Sequence, residues 1–387
     1  MSASLAMQQK FMLNVYPNRG LDFRRGEGVY LISAGGDRYL DMMSNYGISI
    51  LGYNYPAVNE ALIRQLHDLP ALHCSFGNDM RALASRRLVQ RIQRRAGQVY
   101  WSNSGAEAVE AALKLAVMAT GKKRFVACTN GYHGKTLGAL SATDGDKYRR
   151  SFEPLLWEFS RIPFDDPSAL DQALDNETAA FIVEPIQGEG GIMVARDGYL
   201  RSVREICTAH KALLILDEIQ TGTGRTGTFL ASAREGIEAD VVCLGKGLAG
   251  GLPVGATVVS AEVASRAARS SHTSTFGGNP LACAGVNAVL DYLEDAELQR
   301  IASLGLHFHR ELDCLGDARI TAVRGRGLMI GAVLGGCRDE VLKGLQHEKV
   351  LAIPAGSDVV RFLPSYIIEK AHIDRTVEAL RTVLQKL

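Results

Sequence analysis

Short aliphatic runs alternate with amphipathic stretches through the middle of the chain. Residues 124–128 (RFVAC), 179–183 (AAFIV), 212–216 (ALLIL), 240–244 (DVVCL) and 256–259 (ATVV) are bounded by Gly, Asp or Thr. Helix-like segments lie between them at 106–120, 200–210 and 229–236. Strands apolar on both faces and separated by helices predict a mostly parallel sheet covered by helices. From about Leu281 the texture changes. Long amphipathic patterns at 282–294 and 296–314 lead into strands within 318–334, around Gly325, Gly327 and Gly331. A helix (339–347), strands (350–353 and 359–363) and a closing helix (373–387) follow, which reads as a smaller α+β unit. Residues 1–50 look peripheral, with a hairpin over 28–41 turning at Gly35-Gly36.

Composition narrows the function classes. At roughly 150 residues per domain, 387 residues suggest two to three domains. A chain that is 47% hydrophobic and 22% charged can bury a large core. With 43 Lys+Arg against 42 Asp+Glu there is no basic excess, so no nucleic-acid partner is expected. Forty glycines, about a tenth of the chain against an ordinary ~7%, imply many tight turns and close backbone approaches. Seven cysteines are scattered without a Cys-x-x-Cys, which argues against a disulfide framework or a zinc site. The start lacks a signal-peptide layout and no apolar run approaches the ~20 residues of a membrane span, so the expected location is the cytoplasm, with no membrane partner.

Three motifs carry chemistry. Ser104-Gly105-Ala106-Glu107 opens the helix expected at 106–120. It is a capping box, and it also offers the Gly105 and Ala106 N–H groups to a phosphate at the positive end of the helix dipole. The second is 213–220 (LLILDEIQ) followed by 221–227 (TGTGRTG). A strand ending in Asp-Glu resembles the magnesium-binding strand of a P-loop NTPase, but no Gly-x-x-x-x-Gly-Lys-Ser/Thr loop accompanies it. Gly222, Gly224 and Gly227 match the dinucleotide fingerprint, yet five residues separate them from Leu216, where a tight strand-to-helix turn is needed. The remaining reading places Asp217 at the carboxyl end of a central parallel strand, facing a cationic ring nitrogen. The third motif is Lys246 between Gly245 and Gly247, just past another buried strand. It is either a surface lysine in a turn or a desolvated amine able to form a Schiff base. Together, and in this order, the three are the parts needed to hold pyridoxal phosphate, an electron sink while its ring nitrogen stays protonated.

With these residues in place, the chain resembles the class III (ornithine-type) pyridoxal-phosphate aminotransferases, and within them the acetylornithine aminotransferase group. The likeness runs from Arg25-Gly26-Glu27-Gly28 through Asn103–Glu107, Tyr132-His133-Gly134, 184–191 (EPIQGEGG), 217–222 (DEIQTG), Gly245-Lys246-Gly247 and 274–280 (STFGGNP) to Arg361-Phe362-Leu363-Pro364. It implies fold type I, an α/β architecture. A large cofactor-binding domain would cover 51–283 and a smaller domain 284–387, with the segment 1–50 packing against the smaller one. It also implies that Lys246 is the Schiff-base lysine and Asp217 the partner of the pyridine nitrogen. Gln220 would contact the ring hydroxyl, Ile219 and Tyr132 would cover the two ring faces, and Ser104, Gly105 and Ala106 would bind the phosphate. Thr275 would reach the phosphate of a neighbouring subunit, so the partner is a second copy in a homodimer with shared active sites. Arg361 would bind the carboxylate of the acceptor, 2-oxoglutarate, and Glu184 would be the carboxylate that pairs with this arginine between substrates. Tyr16 and Tyr46 would line the amino-donor pocket.

The reaction implied moves the ω-amino group of acetylornithine, ornithine or a related amine to 2-oxoglutarate, giving an aldehyde and glutamate. One position departs from the pattern. Where the ornithine and acetylornithine enzymes read His-Gly-Arg-Thr, this chain reads His133-Gly134-Lys135-Thr136. Lysine offers a point charge rather than a planar fork. A diamine or another ω-amino acid (putrescine, 4-aminobutyrate, 2,4-diaminobutyrate) is therefore the alternative donor. A racemase or aminomutase on the same fold, and a non-catalytic binding or scaffold protein, are the rival classes.

Overall fold

All five aliphatic runs form strands, each within one residue of its expected bounds, in the computed structural model, which describes residues 2–92 and 97–387. They lie in one seven-stranded sheet ordered Gly97–Ser102, Gly255–Ser260, Val241–Leu244, Leu213–Asp217, Thr178–Val183, Arg124–Cys128, Glu158–Ile162. Gly255–Ser260 runs antiparallel to both neighbours, and the remaining pairs are parallel. The central strands are apolar on both faces because both faces are covered. Phe181, Ile182, Leu214, Ile215, Val241 and Cys243 have no exposed surface.

The helix Gly105–Thr120 shows how the sheet is covered. Its buried face is built largely from alanine (Ala108, Ala111, Ala112 and Ala116), whose small side chains let the helix axis approach the strands. Thr257 Oγ1 donates to the Ala108 carbonyl at 2.8 Å and fixes the helix to the sheet. Ser104 caps its start and Gly121, at φ +73°, closes its end, a left-handed position that glycine adopts without a Cβ clash.

The helix expected at 229–236 is only a 3-10 turn, Ala231–Glu235. The turn ends at Gly236 in the left-handed conformation, and its start is held by Glu218, a fully buried carboxylate that accepts from the Ala231 and Ser232 amides and from the hydroxyls of Ser232 and Thr221. Those bonds hold this segment against the strand end and set its path. Removing the carboxylate strands four buried donors, so Glu218→Ala is expected to lower stability by about 3 kcal/mol or more, measured by denaturant unfolding.

Beyond the central sheet, an antiparallel sheet joins Ile320–Arg326, Met329–Leu334, Val359–Phe362 and Ile353–Ala355 in that order. The expected strand at 350–353 divides. Val350–Leu351 pairs parallel with Arg38–Asp41 of the N-terminal hairpin, whereas Ile353–Ala355 joins the C-terminal sheet. Backbone bonds from Leu40 to Lys349 and from Met42 to Leu351 thus tie the first residues to the last hundred. The expected boundary at 283/284 falls inside the continuous helix Pro280–Tyr292. Among the described residues no helix is long and apolar enough to cross a membrane.

The carboxyl ends of four of the parallel strands deliver chemistry to one edge. Asp217 ends its strand, Lys246 lies two residues past Leu244, Glu184 directly follows Val183, and 129–133 leads away from Cys128.

Candidate active site

Asp217 is paired in register with Cys243, three residues before Lys246, so adjacent strands bring the acid and the amine to the same edge. Lys246 sits at φ +47°, a left-handed position for a residue with a side chain, of the kind that accumulates at functional sites. Its amine makes no hydrogen bond or ion pair among the described residues. Burial lowers its pKa to about 8; Glu189, Asp217 and Glu184 act against that shift, and Arg361 reinforces it. The neutral, nucleophilic amine is therefore accessible near neutral pH.

Asp217 is 4% exposed and both its oxygens are engaged. Oδ1 accepts from the Ile219 amide at 3.1 Å. Oδ2 lies 2.7 Å from His133 Nδ1, which donates because an ionised carboxylate only accepts. His133 is a residue the sequence reading missed. It appeared there only within the family motif, with no role given, and its fully buried Nε2 has no partner among the described residues. The His133 amide bonds Thr143 Oγ1 at 2.8 Å, so the ring is anchored through its own backbone.

The helix start meets this pair closely. A Cβ on Gly105 would stand 2.8 Å from Ile219 Cγ2, and one on Gly245 would stand 3.2 Å from the Gly105 backbone. Gly105 is needed for the helix start and Ile219 to meet, and a side chain at Gly245 would crowd the lysine loop against the helix start. Ser104 Oγ accepts from the Glu107 amide, whereas the Glu107 carboxylate reaches back to the Asn103 amide, one residue before the position a capping box uses. The Gly105 and Ala106 amides are left without partners among the described residues. Tyr132 is partly buried, edge-on to Tyr148 at 5.4 Å, and burial pushes its hydroxyl up to about 12.

Arg361 enters from the C-terminal sheet on the strand Val359–Phe362 and is fully buried. Its Nη1 donates to Gln220 Oε1 at 3.1 Å and its Nη2 to the Pro354 carbonyl at 3.2 Å. Its ion-pair partner corrects the sequence reading. The carboxylate is Glu189, 2.7 Å from Nη2, and not Glu184. Glu184 is turned back on its own loop, where its two oxygens accept from the Tyr132 and Gly188 amides at 2.9 and 3.0 Å. Buried there, it is pushed up to about 7. Gly188 lies between the two glutamates and passes close to Gln220, where a Cβ would stand 2.3 Å from Gln220 Oε1.

The other candidates lie outside this cluster. Thr275 is exposed and, among the described residues, without a hydrogen bond; its neighbour Ser274 accepts from Asn103 Nδ2 at 3.2 Å, which places the loop near the helix start. Tyr16 is 70% exposed, and Tyr46 is 45% exposed on a left-handed turn, Ser44–Gly47. Lys135 is exposed, its ammonium 5.6 Å from the Tyr148 ring centroid.

The donor set fits pyridoxal phosphate. Two unpaired amides at the positive end of a helix suit a phosphate, a buried carboxylate suits a protonated ring nitrogen, and an unpartnered amine of lowered pKa suits an aldehyde. Comparison with known proteins agrees. The family model described as aminotransferase class III matches residues 13–384. The acetylornithine aminotransferase of Aquifex aeolicus is 41% identical over 380 residues, 97% of this chain and all of that one. The LysW-aminoadipate semialdehyde/glutamate semialdehyde transaminase of Sulfolobus acidocaldarius is 38% identical over 97% of this chain and 98% of its own. Among solved structures, an ornithine aminotransferase from Toxoplasma gondii superposes with a TM-score of 0.94 at 32% identity, covering 99% of this chain and 94% of that one. The chain belongs to the class III aminotransferases and is a pyridoxal-phosphate-dependent enzyme.

Proposed function

We propose that the protein transfers the ω-amino group of acetylornithine, ornithine or a closely related amine to 2-oxoglutarate, leaving an aldehyde and forming glutamate. The observation that carries this reading is Arg361, buried beside Lys246 and neutralised by Glu189. A guanidinium that has a protein carboxylate can exchange it for a substrate carboxylate, so the site accepts a dicarboxylic acceptor and an amino donor in turn. When bound, the cofactor supplies an electron sink for the substrate carbon that loses its proton.

The chain's residues do the rest. Ser104, Gly105 and Ala106 would hold the phosphate, and Asp217, oriented by His133, would keep the ring nitrogen protonated. Ile219 and Tyr132 would hold the ring plane, with Gln220 on its hydroxyl side. Lys246 would carry the proton between the substrate carbon and the cofactor. Tyr46, Tyr16 and Lys135 would serve the donor pocket. Thr275 would complete the phosphate site of a second copy, and its exposure in the single chain supports a homodimer with shared sites, which would work in the cytoplasm. We divide the chain after the helix Pro280–Tyr292, so that this helix stays with the large domain.

The test is a panel of donors with 2-oxoglutarate: acetylornithine, ornithine, putrescine, 4-aminobutyrate and 2,4-diaminobutyrate. Glutamate is expected fastest from acetylornithine or ornithine. Faster turnover of putrescine would favour the diamine reading, for which Lys135, exposed and turned over Tyr148, is the supporting observation. Glutamate from none of them overturns the proposal.

A further inference from the structure

Arg225 is fully buried in the glycine-rich loop that follows Asp217, and among the described residues it forms no ion pair. Its Nη1 donates to the carbonyls of Leu328 (3.0 Å) and Pro364, and its Nη2 to Ser44 Oγ at 3.4 Å. The Leu328 amide donates back to the Arg225 carbonyl at 3.0 Å, so the two residues are bonded in both directions. The guanidinium also lies over the Tyr366 ring, 4.8 Å from its centroid, and the Tyr366 hydroxyl donates to the Thr223 carbonyl at 2.8 Å.

A guanidinium with no counter-charge is an unfavourable thing to bury. An apolar side chain would fill the space without that cost, yet it would leave two buried carbonyls unpaired. What the arginine achieves is the fixed meeting of separate segments. Pro364 is three residues past Arg361, and Ser44, which also donates to the Leu363 carbonyl, opens the turn that carries Tyr46. The loop holding Arg225 begins at Asp217 and Gln220, and Gln220 accepts from Arg361.

We propose that Arg225 is a positioning residue for the acceptor side of the reaction, locking the strand that carries Arg361 to the loop that follows Asp217 and carries Gln220. The inference rests on the acceptor role proposed for Arg361. Arg225 touches neither the amine of Lys246 nor the phosphate cradle, so its loss should separate the two halves of the reaction.

The experiment compares Arg225→Met, which keeps bulk without donors, and Arg225→Lys, which keeps charge without the fork. Each is measured for cofactor affinity, for the single-turnover rate with amino donor alone, for the acceptor KM with 2-oxoglutarate as the varied substrate, and for binding of glutarate, a dicarboxylate that cannot react. Arg225→Met is expected to weaken glutarate binding and raise the acceptor KM by roughly tenfold or more, with Arg225→Lys partway. Cofactor affinity should hold, and the donor half-reaction should fall by less than the acceptor step. If the methionine variant does not fold, the lysine variant carries the same comparison. Unchanged glutarate binding, or an equal loss in both half-reactions and in cofactor affinity, overturns the proposal. A wild-type protein that neither binds glutarate nor forms glutamate instead sinks the acceptor role of Arg361.

Discussion

Replacing Lys246 with alanine is expected to cut turnover by roughly 10³-fold or more while leaving the fold standing. The amine makes no hydrogen bond or ion pair among the described residues, so its removal strands no partner. What is lost is the one unpartnered amine beside Asp217, Glu189 and Arg361, both the cofactor's anchor and the carrier of the proton. Steady-state assays alongside thermal unfolding check both halves of the expectation, and a small added primary amine should restore part of the rate. The pH dependence follows from the same burial. With its pKa lowered to about 8, the amine is charged below that pH and neutral above it. Cofactor loading onto the free protein should therefore quicken as pH rises through about 8, well below the range of an ordinary lysine.

The second large effect belongs to Asp217. Asp217→Asn is expected to lower turnover by roughly 10²-fold or more, because a neutral amide no longer favours the protonated ring that the chemistry needs. Structure should suffer too. Oδ1 and Oδ2 each accept a hydrogen bond, from the Ile219 amide and from His133, and an amide can keep only one of these bonds. The cost is about 1–3 kcal/mol for the donor left unpaired. His133→Ala should show a smaller version of the same loss of rate, since it leaves the carboxylate in place but free to turn. Rate measurements at saturating cofactor separate this from weakened cofactor binding.

Much of this was legible in the residues because it depends on local pattern. Strands buried on both faces read as aliphatic runs, and a strand-end acid and a lysine between glycines are visible wherever such runs end. The two central-sheet strands that escaped, Gly97–Ser102 and Glu158–Ile162, lie at its edges, where partial exposure admits polar residues and breaks the run. The helix expected at 229–236 shrank to one turn for a different reason: Leu230 is extended at its start and Gly236 is left-handed at its end, while Glu218, thirteen residues before Ala231, holds its first amides. Choosing between Glu184 and Glu189 for Arg361 needed the course of the turn at Gly188, which five residues of spacing do not reveal. Arg225 lay in a segment weighed only for its glycines, and its partners come from positions more than a hundred residues away in either direction.

The sharpest single measurement is chemical. The protein is loaded with pyridoxal phosphate, reduced with borohydride so that the cofactor stays on whichever amine it occupies, digested and mapped by mass spectrometry. The mass increment should fall on the peptide containing Lys246 and on no other lysine at stoichiometric yield. Its appearance on a different lysine, with Lys246 unmodified, would contradict the placing of the catalytic centre between positions 217 and 246.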